Sequence, residues 1–278
     1  MKSPVVKSLV VNGAEIAYVE RGAGRPLLLV HGFPLDHTMW EGQIDALAAE
    51  EGTAALPLRV IAPDLRGFGR SRPRGEKVTM DEFADDLAGL LDGLGIREPV
   101  AYCGLSMGGY IAFQFWRKYA DRLAALVLCD TRAVADSPQA AESRRAMAQR
   151  VLGEGPAPVA EAMLPKLLGE STQEQRPELV ERLRTLIMAG DPRGIAAAAR
   201  GMAERPDMTG SLSQIGCPTL VLVGQNDVIS PPAEMRGMAA AIPDARFKEI
   251  SAAGHMSPWE NPAEVNAAIT EFLATCNQ

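Results

Sequence analysis

Cys103-Gly104-Leu105-Ser106-Met107-Gly108-Gly109-Tyr110 is the stretch from which the rest of the chain can be read. It carries the pattern G-x-S-x-G at Gly104 to Gly108. An apolar run, Pro99-Val-Ala-Tyr-Cys103, precedes it, and a helix-forming run, Met107 to Tyr119, follows. That context predicts a sharp strand-to-helix turn with a serine at its apex. In such a turn the serine adopts sparsely populated backbone angles and presents its hydroxyl at the edge of a sheet. Side chains two residues before and after it would collide, so glycine is needed on both sides. The helix then offers unpaired N–H groups and the positive end of its dipole beneath any developing oxyanion. Ser106 is the candidate nucleophile.

Outward from this turn the chain alternates strands and helices. Val5 to Val11 and Ala14 to Glu20 read as strands joined by an Asn12-Gly13 hairpin turn. Short apolar runs at Pro26 to Val30, Arg59 to Ala62, Ala125 to Cys129 and Pro218 to Val223 read as strands covered on both faces, and Arg246 to Ser251 as a last one. Helices are expected at Glu41 to Glu50, Thr79 to Leu94, Ala233 to Ala241 and Ala263 to Ala274. Thr79 and Glu82 form a capping-box pattern, and Gly95 sits where a helix ends. The expected fold class is α/β, with a mainly parallel eight-stranded sheet flanked by helices. From Ala133 to Ser213 no strand-like run occurs; helix-forming stretches fall near 138–152, 157–168, 174–189 and 192–204. This predicts a helical cap inserted after strand 6: residues 1–132 and 213–278 form the core domain and 133–212 the cap.

Bulk properties narrow the function. Among 278 residues, 47% are hydrophobic and 23% charged, the balance of a globular enzyme. The net charge of −7, with no cluster of Lys and Arg, argues against a nucleic-acid partner. The four cysteines are scattered, with no C-x-x-C pair, which favours reduced thiols over disulfides or a metal site. Neither a signal-peptide run nor the roughly 18 apolar residues of a membrane span are present, so a cytoplasmic protein without a membrane partner is expected. Nothing in the sequence fixes an oligomeric state.

A serine hydroxyl needs an imidazole base, itself oriented by a carboxylate. Of only three histidines, His255 lies between the last strand and the last helix, at the end of the sheet where α/β proteins place their chemistry. Asp227 follows another strand in Gly224-Gln-Asn-Asp227; Asp130, which ends the strand before the cap, competes for the same imidazole. The oxyanion donors are expected to be the amides of Met107 and of Phe33, since Pro34 has no N–H. His31 reads as an organiser of that loop, His37 has no assigned role, and the turn Asp64 to Gly69 reads as structural. Trp40, Met256 and Trp259 are candidates for an apolar acyl pocket, with plain packing as their other reading. Arg144, Arg145, Arg182, Arg184 and Arg200 stand in the same way between binding a substrate carboxylate and facing solvent.

Leu29-Val-His-Gly-Phe33, Pro63-Asp-Leu-Arg-Gly67, Gly104 to Gly109, Gly224 to Asp227 and Gly254-His255 together resemble the α/β-hydrolase superfamily, from about residue 8 to 274. The chain is most similar to small bacterial carboxylesterases and 3-oxoadipate enol-lactonases. The resemblance implies Ser106 as nucleophile, Asp227 as acid, His255 as base, Phe33 and Met107 as oxyanion donors, and no cofactor. It implies hydrolysis, by water, of a small-molecule ester or lactone. The same triad also runs perhydrolysis, C–C bond hydrolysis and lyase reactions, or persists in ligand-binding receptors. Dehalogenase and epoxide-hydrolase chemistry requires a carboxylate where Ser106 stands.

Overall fold

Residues 5–48 and 56–276 are described by a computed structural model. Strands β1 (Val6–Val11) and β2 (Ala14–Arg21) form the expected hairpin, with Asn12 and Gly13 both at positive φ (49° and 74°). They are followed by β3 (Arg25–Val30), β4 (Leu58–Pro63), β5 (Val100–Leu105), β6 (Leu123–Cys129), β7 (Thr219–Gly224) and β8 (Arg246–Ile250). The eight strands lie in the order β1-β2-β4-β3-β5-β6-β7-β8. Only β1–β2 and β2–β4 pair antiparallel. Strands β5 and β7 are buried along their whole length, which is why they read as unbroken apolar runs. At the edge, β8 alternates, with Arg246 and Lys248 outward.

Helices α1 (Glu41–Leu47), α2 (Met80–Gly93) and α3 (Met107–Tyr119) connect the first six strands. Both bonds of the α2 capping box form, and Gly95 ends the helix at φ 71° while the Ile96 N–H returns to Leu91 O (2.9 Å). Residues 49 and 50, expected to extend α1, lie outside the described residues.

Between β6 and β7 run five α-helices, a short 3-10 helix (Thr209–Gln214) and no strand, the α-helices being α4 (Pro138–Glu154), α5 (Ala157–Leu167), α6 (Glu170–Gln175), α7 (Pro177–Met188) and α8 (Pro192–Met202). The stretch expected as one helix over 174–189 is broken at Arg176 (φ −132°, ψ 60°). Pro177 disfavours helical angles in the residue before it and opens α7 as its first residue. Asp191 caps α8, accepting the Arg193 N–H at 2.8 Å.

Helix α8 meets the core backbone to backbone. A Cβ on Gly194 would lie 1.8 Å from Gly67 O, and one on Gly201 would lie 1.8 Å from Val78 O. Between them the Val78 N–H donates to Ala197 O at 3.2 Å. After β7 come α9 (Pro232–Ala241), a one-turn α10 (Ser257–Glu260) where a plain loop was expected, and α11 (Pro262–Thr275). All four cysteines are free thiols.

Candidate active site

Ser106 stands between β5 and α3 at φ 54° and ψ −111°, a conformation few non-glycine residues adopt. Its N–H donates to Cys129 O (3.0 Å), and its carbonyl accepts the Thr131 hydroxyl (2.7 Å) and the Gly109 N–H (2.9 Å). The flanking glycines have steric causes. A Cβ on Gly104 would lie 2.4 Å from Gly108 O, and one on Gly108 would lie 2.3 Å from Val30 O. Ser106 is half-buried, and its hydroxyl makes no hydrogen bond among the described residues.

His255 and Asp227 are both buried, with His255 Nδ1 2.8 Å from Asp227 Oδ2. The other carboxylate oxygen accepts the N–H groups of Ile229 (2.7 Å) and Ser230 (3.0 Å), which locks the acid in place. Because a carboxylate only accepts, Nδ1 carries the proton and Nε2 is left as the basic nitrogen. Burial works against a charged imidazole. The charge and hydrogen bond of Asp227, with the nearby charges of Asp130 and Glu260, outweigh it and hold His255 above its ordinary value of 6.5.

The rival acid is placed differently. Asp130 has no bond to the imidazole; it accepts from Gly224 N (2.7 Å), Ser257 Oγ (2.5 Å) and Cys129 Sγ (3.1 Å). Burial, followed by the charge of Asp227, pushes its carboxyl up to about 7. Of the two acids weighed in the sequence, it is Asp227 that holds His255.

The loop of the expected oxyanion donors lies against the serine: a Cβ on Gly32 would come within 3.4 Å of Ser106 Cβ. Met107 opens α3, so its N–H falls in the first turn, where no helical carbonyl can accept it. The Phe33 N–H has no acceptor among the described residues. His31 braces this loop, as the sequence suggested. Its Nε2 accepts the Leu65 N–H (2.9 Å), so its Nδ1 bears the proton and donates to Gly32 O (2.9 Å). Burial lowers its basicity.

His37, without a role in the sequence reading, forms a second His–Asp pair. Its ring Nδ1 lies 2.6 Å from Asp64 Oδ1, and its N–H donates to the same oxygen at 2.9 Å. The second Asp64 oxygen accepts the Arg70 N–H at 2.8 Å. Among the described residues, Asp36, His37 and Asp64 are the one group with metal-ligand spacing, within 4.8 Å. Thr38, the His37 amide and Arg70 already engage those carboxylates, so the trio works as a clamp. The signal that would have found it is the turn 64–70, which the sequence marks as structural but cannot pair with position 37.

The remaining candidates are packed or engaged. Trp40 and Met256 have no exposed surface at all, and Trp259 (7% exposed) donates its indole N–H to Met39 O (2.6 Å) beneath the Arg182 guanidinium. Their apolar bodies form part of the core. The arginines are likewise taken: Arg144 pairs with Asp136, Arg145 with Glu142, Arg182 with Glu41, Arg184 with Glu181, and Arg200 donates to Glu76 O. The reading of these five as a substrate-carboxylate site loses its support. A cavity of about 360 Å³ opens beside the loop that follows β3, walled by Pro34, Leu35, His37 and Phe68 on the core and by Leu186 and Ala189 on the insertion.

A strand order in which three loops of different strands bring a strained serine and a buried His–Asp pair to one sheet edge is that of an α/β hydrolase. The family model of the alpha/beta hydrolase fold matches residues 25–262, from the start of β3 to the start of α11, and the chain belongs to that family. It is an enzyme of the α/β-hydrolase superfamily. The chain is similar to a thermophilic esterase from Thermogutta terrifontis, solved with malate bound: 50% identity, TM-score 0.92, covering 99% of this chain and 100% of that one. It is 27% identical to 3-oxoadipate enol-lactonase 2 of Acinetobacter baylyi, over 92% of this chain and 91% of that protein. It is 30% identical to a non-heme haloperoxidase of Rhodococcus erythropolis, over 94% of this chain and 97% of that protein. No helix of the described residues is long and apolar enough to cross a membrane.

Proposed function

We propose that the chain hydrolyses carboxylic esters or lactones of small molecules through an acyl-enzyme on Ser106. The observation that carries this is the buried His255–Asp227 pair, whose tautomer leaves Nε2 free to take a proton at the sheet edge where Ser106 is held in its strained turn. His255 removes the Ser106 proton as Oγ bonds to the carbonyl carbon, and the amides of Phe33 and Met107 hold the oxyanion. Collapse of the tetrahedral species breaks the C–O bond, and the imidazolium returns its proton to the leaving alcohol; in a lactone that alcohol stays tethered. Water, deprotonated by the same imidazole, then attacks the acyl carbon; the bond to Ser106 Oγ breaks, the imidazolium returns the proton to Oγ, and the acid leaves. Residues 133–212 act as a cap over this site. Support for ester and lactone substrates comes from the esterase and the enol-lactonase to which the chain is similar.

The test is Ser106→Ala, expected to lower kcat for p-nitrophenyl acetate on the order of 10⁴–10⁶-fold, together with stoichiometric fluorophosphonate labelling of the wild type at Ser106. Undiminished turnover by Ser106→Ala refutes the reading; labelling without repeated turnover makes the protein a ligand-binding receptor instead. The haloperoxidase relative favours a second reading, in which hydrogen peroxide replaces water and takes the acyl group to give a peracid. Halide oxidation that requires both peroxide and a carboxylic acid, and is lost in Ser106→Ala, would establish it.

A further inference from the structure

Asp130 is fully buried, and the cycle above gives it no task. It directly follows β6 at φ 45°, in the left-handed region that favours glycine, so its side chain must be held for the conformation to persist. Its partners explain what holds it. One carboxyl oxygen accepts the N–H of Gly224, where the turn carrying Asp227 begins (2.7 Å). The other accepts the hydroxyl of Ser257, two residues past His255 (2.5 Å), and the thiol of Cys129 (3.1 Å). Along its own backbone, the Asp130 N–H donates to Leu222 O (2.9 Å), and the preceding carbonyl, Cys129 O, accepts the N–H of Ser106 (3.0 Å). One buried carboxyl is therefore bonded to the loop of the acid and to the loop of the base. It does this from a strand end that is bonded to the nucleophile.

We infer that Asp130 is a positioning residue for the hydrolytic reaction: it fixes the Asp227 and His255 loops relative to Ser106 and contributes to the field felt by the His255 imidazole. This rests on the ester-hydrolysis reading. The three partners of the Asp130 carboxyl (a backbone amide, a hydroxyl and a thiol) all donate, which suits a carboxylate, while burial and the charge of Asp227 resist ionisation. The groups facing it are Asp227 and His255 from the two loops and the thiols of Cys103 and Cys129, which burial keeps neutral; Glu260 of α10 also faces the imidazole. A negative charge at Asp130 favours the imidazolium, so its removal lowers the pH at which His255 becomes a free base.

The experiment compares Asp130→Asn and Ser257→Ala with the wild type, measuring kcat, KM and the pH profile of kcat/KM on p-nitrophenyl acetate. Asp130→Asn is expected to lower kcat by up to about 100-fold with little change in KM. It should also move the acid limb to lower pH, by less than about one pH unit because the carboxyl itself takes up a proton as pH falls through about 7. Ser257→Ala, which keeps the charge and cuts the link to the base loop, is expected to lower kcat without moving the acid limb. A folded Asp130→Asn with the wild-type kcat and acid limb overturns the inference. Should Asp130→Asn fail to fold, Ser257→Ala decides it: an unchanged kcat there overturns it equally. If Ser106→Ala is inactive while these variants are unaffected, only the role of Asp130 fails; if Ser106→Ala is active, the underlying reading fails first.

Discussion

The His37 ring and the Asp64 carboxylate, 2.6 Å apart, anchor the segment that follows Phe33, and they make its stability depend on pH. Burial opposes charge on His37, but the hydrogen bond and charge of Asp64 outweigh it, so the folded imidazole titrates above 6.5. Its contribution is fully present below 6.5, where the unfolded chain titrates, and is lost as pH rises through the folded value. Asp64 runs the other way. Burial is offset by His37 and by the Arg70 and His37 amides, its carboxyl titrates below 3.8, and its contribution is lost as pH falls through that lower value. His37→Asn is therefore expected to be most destabilising in mildly acidic solution and to flatten the alkaline side of the stability profile; urea unfolding from about pH 5 to 9 checks this. The sequence could not show this pair, because no local pattern links positions 37 and 64. Ser106 was legible because the G-x-S-x-G pattern is local, with Gly104 answering to a clash with Gly108 O four residues on, and His255 because only three histidines exist. Asp227 and Asp130 both end strands, and only the paths of their loops in space decide which one reaches Nδ1 of His255.

Two glycines within helices lead to opposite expectations. Gly108 in α3 faces Val30 O at 2.3 Å from where a Cβ would stand, so Gly108→Ala forces the Ser106 turn off the loop that follows β3. A loss of about 1–3 kcal/mol in unfolding free energy, with activity falling alongside, is expected. Gly237 lies mid-way along α9 with nothing within 4 Å of such a Cβ. There Gly→Ala is expected to stabilise by about 0.5–1 kcal/mol and leave activity unchanged. Chemical denaturation of the two variants checks both signs. Elements with local signals, such as the capping box of α2 and the Asp191-Pro192 start of α8, were readable from the sequence with their ends nearly right. The break before α7 rests on the angles of one residue, Arg176, and the one turn of α10 is too short to carry a periodicity, so neither was.

Across the whole molecule, the insertion is tied to the loop of His255 by one buried carboxylate. Glu260 Oε2 accepts the N–H of Gly169, between α5 and α6, and Oε1 accepts that of Gly254, beside His255 (2.8 and 2.7 Å). Glu260→Ala leaves both buried amides without an acceptor, at about 1–3 kcal/mol each. Amide exchange is expected to rise at Gly169 and Gly254 together, with a fall in kcat. Faster exchange at one alone would show that the two segments are held independently. The alternation of strands and helices and the presence of a helical insertion were legible from hydrophobic patterning, since burial on both faces dictates apolar runs. The engagement of Arg182 and Arg200 was not, because Glu41 and the Glu76 carbonyl lie on the core, far away in sequence.

The backbone contacts of α8 at Gly67 and Val78 also bear on how such proteins can be recombined. Two touching main chains leave no room for a different set of side chains between them. A chimera that exchanges the helices after β6 for those of another hydrolase must import glycines at both crossing points, because α8 also packs along α4 and has to travel with it.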